Sequence, residues 1–465
     1  LEAARKAKKP VIFMKVGSTE AGARAAASHT ASLAGEDAIY DGMFKQFGVY
    51  RAETTEEMAD IAYVCQFGRY PAGPKIGLQT ISGGIGVQLA DAATKYGFDV
   101  KPLPKSTQDK ILDLIPFAGV NNPIDFTGQV LNERKLLEDS MRHVIDEADY
   151  DSQILYLASL PISQFTKDIS LEIFTSLREQ YPNELMILSL IGPPESRASY
   201  EALGYPCFED HSLAVRAMAA LRYFGEVFQR EGPDLQATIS KNKVIMKGQK
   251  LSEFEAKKIL SIAGLPITLE TLVQTSEEAI HFWRKIEKPV ALKISSSNLR
   301  HKTEIGGVLL NLNDEHGIRE AFNKLSEIAK EISEESPIEG ILICEMIDNG
   351  VETVLGVVKD PVFGPTVMFG LGGIFIEILK DVTFRVAPFD AKEAHMMINE
   401  IRGRAILDGV RGAPPVDVDA LAEALSQLSL FAATNIDNVD SIDLNPFIVL
   451  PRGAKIVDAL IIASD

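Results

Sequence analysis

Residues 75–96 read KIGLQTISGGIGVQLADAATKY. Lys75 to Ile81 is an apolar run of strand length. It enters Ser82-Gly83-Gly84-Ile85-Gly86 with no spacer, and apolar residues then recur at helical spacing from Val87 to Tyr96. Strand, glycine turn and helix together make half of a βαβ unit. The pattern repeats downstream. A strand over 154–160 precedes a helix near 169–180, a strand over 186–191 precedes a helix over 195–203, and Cys207-Phe208 precedes a helix over 212–226. This alternation predicts a parallel, doubly wound sheet, with its ligand site at the carboxyl ends of the strands.

Upstream, the breaker-rich stretch Arg69 to Pro74 sets off a shorter block. It has a strand over 11–16, a Gly- and Ala-rich stretch over 17–35, a helix over 36–47, a strand over 49–52, and a helix opened by Thr54-Thr55-Glu56-Glu57. The first ten residues read as the last turns of an amphipathic helix running into a strand. They lack an initiator Met, and no apolar h-region makes them a signal peptide. Downstream, residues 230–249 are polar and aperiodic, so they read as a linker. The third block opens on Ser252 and Glu255 at capping-box spacing, with Ala256, Ile259, Leu260 and Ala263 on one helix face. It continues with strands over 289–294, 308–312, 341–346, 352–358, 366–369 and 447–450, interleaved with helices near 276–285, 318–333, 391–399 and 417–434. That is an α+β pattern.

Composition narrows the function. With 65 acidic against 47 basic side chains the chain carries a net charge of −18. Such a surface argues against non-specific binding to nucleic acid or anionic lipid, while leaving room for a local anion site. No apolar run approaches the roughly 18–20 residues that span a bilayer. The three cysteines are scattered, form no zinc pattern, and suit reduced thiols in a cytoplasmic protein. At roughly 150 residues per domain, 465 residues suggest three domains.

Several residues could carry chemistry. His29 lies between Ser28 and Thr30 among small residues that let other groups approach its ring. A neutral imidazole there can be a phosphoryl-accepting nucleophile, or an ordinary loop histidine. The turn Ser82-Gly83-Gly84 offers free backbone N–H groups at a helix N-terminus, which suit an anion or simply close packing. Lys293 sits inside an apolar strand, where a lysine either snorkels or pairs with an anion. His301 and Lys302 precede Gly306-Gly307, which fits a phosphate-covering loop or a solvated turn. Glu345 and Met346 end a strand before a turn, and Glu352 opens the next, as in a hinge that reads an adenine edge. Asp443 and Asn445 are two apart on an extended stretch, so both point to one side, and their hard oxygens suit Mg²⁺.

In this order the segments resemble the NDP-forming acyl-CoA synthetases, the superfamily of ADP-forming acetyl-CoA synthetase and succinyl-CoA synthetase. Residues 20–35, EAGARAAASHTASLAG, look like the phosphohistidine loop, with Ala31 in place of the usual Gly. Residues 122–128, NPIDFTG, look like a segment of the second flavodoxin-like domain. Residues 293–308 and 356–388 resemble the ATP-grasp module, and Ile442 to Pro446 its Mg²⁺ motif.

The resemblance implies flavodoxin-like parallel-sheet domains followed by an α+β ATP-grasp module. It divides the chain into 1–70 with the phosphohistidine loop, 71–232 as a second flavodoxin-like domain, and 233–465 as ATP-grasp. It implies a ligase that joins a small carboxylic acid to CoA at the expense of ATP, with Mg²⁺. His29 would relay the phosphoryl group, and His301 would carry it between distant sites. Ser82, Gly83 and Gly84 would steady the phosphohistidine. Lys293, Gly306, Gly307, Glu345, Met346 and Glu352 would bind nucleotide, and Asp443 and Asn445 the metal. Other readings are a related enzyme in which CoA ligation primes a lyase step, and a nucleotide-sensing subunit. An N-terminal CoA-binding region is expected upstream, on this chain or another, and so is a homodimer or higher oligomer.

Overall fold

All five residues of strand β3 (Ile76–Thr80) are buried, as expected of a strand covered on both faces. The computed structural model describes residues 1–19, 21–22, 24, 37–131, 134–230, 244, 248, 250–299, 302, 304–332, 337–373, 378–379, 381–410 and 412–464. The chain divides into two compact units, residues 1–16 with 47–231 and residues 17–46 with 232–465.

In the first unit, β1 (Val11–Phe13) pairs in parallel with β2 (Val49–Arg51). A second sheet is parallel throughout, in the order β4-β3-β5-β6-β7, where β4 is Ile124–Asp125, β5 Ser152–Ala158, β6 Met186–Leu190 and β7 Cys207–Phe208. Thr80 lies beside Asp125 on one side and Tyr156 on the other. Alternate residues feed opposite faces. Leu155 and Leu188 enter one core with Phe126, Phe174 and Met141, while Ile154 and Ile187 enter another with Leu89, Val215 and Met218. Phe174 is fully buried, with Tyr200 and Tyr205 edge-on to its ring. Burying a side chain of this kind contributes about 1.5–3 kcal/mol.

The predicted parallel sheet is therefore present. Strand β4 and the helices Lys105–Leu114 and Arg134–Glu147 add to the sequence reading. The expected linker over 230–249 falls largely outside the described residues.

The second unit holds two antiparallel sheets. The smaller has the order β10-β9-β11-β8, with β8 Glu270–Val273, β9 Val290–Ser295, β10 Val308–Leu312 and β11 Gly340–Glu345. The helices Ser276–Ile286 and Glu315–Ile332 pack on it through Ile280, Ile318, Phe322 and Leu325. The larger has the order β14-β13-β12-β15-β16, with β17 also on β15. Here β12 is Val351–Asp360, β13 Gly364–Leu371, β14 Val382–Val386, β15 Val439–Val449, β16 Ala454–Ile456 and β17 Leu460–Ala463. The helices Ala391–Asn399 and Val418–Thr434 cover it. The capping box is formed: Ser252 accepts the Glu255 N–H, and the Glu255 carboxylate accepts the Ser252 N–H.

Residues 37–46 are the main part of the helix Asp37–Phe47, and they pack against β14. A Cβ on Gly42 would lie 2.2 Å from the Phe384 carbonyl oxygen, so only glycine permits this approach. The Gln46 side chain donates to the Val386 carbonyl and accepts the Val386 N–H, both at 2.8 Å.

No helix among the described residues is long and apolar enough to cross a membrane. Cys65, Cys207 and Cys344 are free thiols. Burial pushes the Cys65 thiol up to about 12 and raises the other two, so all three are poor nucleophiles.

Candidate functional site

In the first unit, β3 ends at Thr80, whose hydroxyl accepts the Ser82 N–H at 2.9 Å and donates to the Ser82 carbonyl at 3.0 Å. That local ring closes the turn and starts the helix Gly83–Lys95. Ser82 is the N-cap residue, yet its hydroxyl makes no capping bond, so the first N–H groups have no side-chain partner from it. A Cβ on Gly84 would meet nothing within 4 Å, whereas one on Gly83 would lie 3.1 Å from Asp125 Oδ2. The Asp125 carboxylate thus stands at the helix entrance, held by the Thr127 N–H at 2.9 Å. A phosphoryl group at this turn would meet both the helix N-terminus and Asp125.

In the second unit, Lys293 on β9 is buried, and its ammonium donates to Glu253 Oε1 at 2.7 Å and to the Val457 carbonyl at 3.3 Å. Asp458 Oδ2 lies 3.8 Å away. Burial would lower the Lys293 pKa, but Glu253 and Asp458 hold it above the usual lysine range. For Glu253, burial pushes the carboxyl up, and Lys293, Lys257 and Lys302 outweigh it to leave the group far below the usual range. Glu253, Lys302 and Asp458 line a cavity of about 230 Å³ together with Ser296, Ser297 and Glu304.

The double glycine lies between Glu304 and Val308, which line the cavity. Gly306 has φ +70°, and the Gly307 N–H donates to the Lys302 carbonyl at 2.8 Å. A Cβ on Gly307 would sit 3.0 Å from that oxygen. The Gly307 carbonyl accepts the Ile294 N–H at 2.9 Å, which ties the turn to β9.

Asp443 and Asn445 both face outward on β15, two residues apart. Although its residue surface reaches solvent, the Asp443 carboxyl is raised, first by desolvation and second by the Asp458 charge. Asp443 with the Asp458 charge near it, and Asn445 two residues on, offer hard oxygen donors of the kind that fit a divalent cation. Among the described residues no group of three or more His, Cys, Asp or Glu forms a metal cage.

Glu345 turns to other partners. One oxygen accepts the Leu269 N–H at 2.9 Å, and the other lies 3.4 Å from Lys288. The Met346 N–H donates to the Pro289 carbonyl at 2.9 Å. Glu352 is exposed at the start of β12, and its carbonyl accepts the Gly372 N–H at 2.8 Å. His29 and His301 lie outside the described residues.

Sequence reasoning missed Asp458 and Glu253. Asp458 carries no local signal, because the return of the chain along β15, with Leu460 of β17 beside Asp443, is what brings it near Asp443. Glu253 reads as an ordinary acid in the first turn of a helix.

Comparisons with known proteins bear on the domains and the family. A model of the ATP-grasp domain matches residues 244–463, and a model of the succinyl-CoA ligase like flavodoxin domain matches residues 1–65. The chain is 32% identical over 474 residues to the 4-hydroxybutyrate–CoA ligase (ADP-forming) of Nitrosopumilus maritimus, covering 98% of this chain and 67% of that protein. It is 34% identical over 478 residues to the acetate–CoA ligase (ADP-forming) of Methanocaldococcus jannaschii, with coverage of 98% and 67%. It therefore spans about two thirds of the length of these relatives. The beta subunit of acetate–CoA ligase (ADP-forming) II of Pyrococcus furiosus is 41% identical over 212 residues, which is 45% of this chain and 90% of that subunit. Relatives thus occur as split subunits. Among solved structures, the Ca. Korarchaeum cryptofilum dinucleotide forming acetyl-coenzyme A synthetase 1 in complex with coenzyme A, Ca-AMPCP and HgCl+ has 44% identity. It covers 46% of this chain and 94% of that one, with a TM-score of 0.44. With flavodoxin-like and ATP-grasp folds in this order, and such identity over nearly its whole length, the chain belongs to the NDP-forming (ADP-forming) acyl-CoA synthetases, a family of ATP-dependent acid–thiol ligases.

Proposed function

We propose that this chain supplies the nucleotide-binding and phosphoryl-transfer parts of a ligase that converts a small carboxylic acid, CoA and ATP to acyl-CoA, ADP and phosphate. The observation that carries this reading is the cavity of the second unit, where Lys302 and the Lys293–Glu253 pair stand beside Asp458. Cations of this kind suit the phosphates of a nucleotide. Lys293, Gly306 and Gly307 would hold the phosphates. Glu345, Met346 and Glu352 would border the rest of the nucleotide. Asp443 and Asn445, with Asp458, would hold Mg²⁺, which when bound would neutralise phosphate charge.

In the reaction, a ring nitrogen of His301 would attack the γ-phosphorus, the bond to the β-phosphate oxygen would break to release ADP, and the phosphoryl group would pass on to a ring nitrogen of His29. The phosphohistidine then gives its phosphoryl group to a carboxylate oxygen. That step makes a mixed anhydride, whose phosphate is a far better leaving group than oxide. The CoA sulfur attacks the acyl carbon and phosphate departs. The turn Ser82-Gly83-Gly84 would steady the phosphohistidine by its N–H groups, and His301 would relay the phosphoryl group from the nucleotide. CoA would be bound mainly by an N-terminal region on this chain or another. The working enzyme would be a cytoplasmic homodimer or higher oligomer, with domains at 1–70, 71–232 and 233–465.

The test is a turnover assay with the N-terminal CoA-binding region supplied, ATP, Mg²⁺, CoA and a panel of acetate, propionate, hydroxy acids and aryl acids. ADP, phosphate and acyl-CoA are expected in equal amounts with at least one acid. ADP release with no acyl-CoA from any of them would refute the reading. For the metal, Asp458→Asn is expected to shift the Mg²⁺ dependence of ATP binding by about 10–100-fold, the scale seen when a partner of a metal site is lost. A Mg²⁺ titration followed by calorimetry reads this, and an unmoved midpoint would remove Asp458 from the site.

A further inference from the structure

Glu253 is the first residue of the helix Glu253–Ile262, fixed by the capping box around Ser252 and Glu255. Its side chain is 2% exposed, yet its two oxygens reach two different elements, β9 and the glycine turn that brings Lys302 to the cavity. Oε1 accepts from Lys293 on β9 at 2.7 Å, and Oε2 accepts from Lys302 on the glycine turn at 2.5 Å. Lys257 stands behind, 3.2 Å from Oε1. Lys257 has its own carboxylate, Glu270 at 2.6 Å, and the Thr268 hydroxyl at 3.3 Å. Glu270 already offsets Lys257, so the charge of Glu253 is also available to Lys293 on β9 and to Lys302, which lines the cavity.

We propose that Glu253 is a positioning residue for the nucleotide: its buried carboxylate binds Lys293 and Lys302 as a pair and presents both to the phosphates. The inference rests on the reading of this cavity as the ATP site. A lysine ammonium on a four-carbon stem is a flexible point charge. The strand fixes the base of Lys293, but Lys302 sits on a turn, and Glu253 connects its charge to β9. Oε2 accepts from Lys302 and leaves that ammonium with N–H bonds for a second anion, while Lys293 divides its three donors among Glu253 Oε1, the Val457 carbonyl and a further acceptor. Replacing the carboxylate by an amide removes the charge that gathers them while keeping the volume.

The test compares wild type, Glu253→Gln, Lys302→Met and the double variant in the full-length protein. The readouts are ATP·Mg²⁺ affinity by calorimetry, melting temperature without nucleotide, and KM for ATP and for the carboxylate. Each single variant is expected to lose about tenfold in ATP affinity, as for a charge-assisted contact. The KM for ATP should rise in step, with the KM for the carboxylate unchanged. The double variant should be no weaker than the worse single one, because both act through the same pair. Wild-type ATP affinity in Glu253→Gln, or additive losses in the double variant, would overturn the proposal while leaving the ATP site standing. If Glu253→Gln does not fold, Lys302→Met decides: unchanged ATP affinity in that variant overturns the proposal. A wild-type protein that binds no ATP overturns both this inference and the reading beneath it.

Discussion

His29→Ala is expected to lower acyl-CoA formation by about 10³–10⁶-fold, the range for removal of a nucleophile on which every turnover depends. A carboxylate does not react with a thiol, and activation must pass through a phosphoryl group. If the phosphoryl group travels on His29, no other atom of the chain can replace the ring nitrogen in that step. The same variant should lose the share of acid-labile phosphate that rests on His29 when wild type is labelled by γ-labelled ATP, keeping at most what His301 carries in passing. Its ATP affinity should stay within a factor of about two, because the nucleotide would be held by Lys293 and the glycine turn and not by His29. Autoradiography after acid and base treatment reads the label. Equal label in the variant would place the phosphoryl group on another residue, with His301 the first to examine.

The second large effect concerns stability. Arg385 on β14 is 1% exposed. Its guanidinium donates to Glu393 at 2.6 Å, to Glu400, and to the Phe384 carbonyl at 2.9 Å. Burial would lower its pKa, and Glu400 and Glu393 together raise it, so the cation persists in the interior. Arg385→Ala leaves two inward carboxylates without that cation, at a cost of about 3–5 kcal/mol. For a unit of this size that is a fall of roughly 6–20 °C in melting temperature. The loss shrinks if the anions go too: Arg385→Leu with Glu393→Leu and Glu400→Gln should recover much of it, since buried ion pairs are often no better than apolar packing. Calorimetric melts of both variants check this. A triple variant as unstable as Arg385→Ala would show that the arginine contributes shape and not charge pairing.

What could be read from the chain without its structure depended on whether the signal was local. The turn after β3 is legible because glycines follow directly on an apolar run. The capping box at Ser252 is legible because its two partners are three residues apart. Strand β4 has only two residues, too few to show a period. The helix Lys105–Leu114 buries just Thr107 and Ile111, so its apolar stripe is nearly absent. By contrast Leu137, Met141 and Val144 do carry helical spacing over 134–147, and that helix was open to reading. Strands β8, β14, β16 and β17 are short, and each is defined by its neighbour in the sheet more than by its own residues. The site divides in the same way. Lys293 stands out as a lysine in an apolar strand, and Asp443 and Asn445 as oxygens at strand spacing. Asp458 and Glu253 are ordinary acids until the fold brings them to those partners.

The pairing of Gln46 with Val386 has a further consequence. Strand β14 is the outer strand of its sheet, and Val386 turns its N–H and carbonyl away from β13. An uncovered edge of this kind is a template on which a foreign strand can add. The carboxamide of Gln46 has the same donor and acceptor as a peptide group, and it fills that place from within the chain. One side chain from the helix that follows the histidine motif thus guards the sheet against edge-to-edge association, a protection against aggregation separate from any part in catalysis.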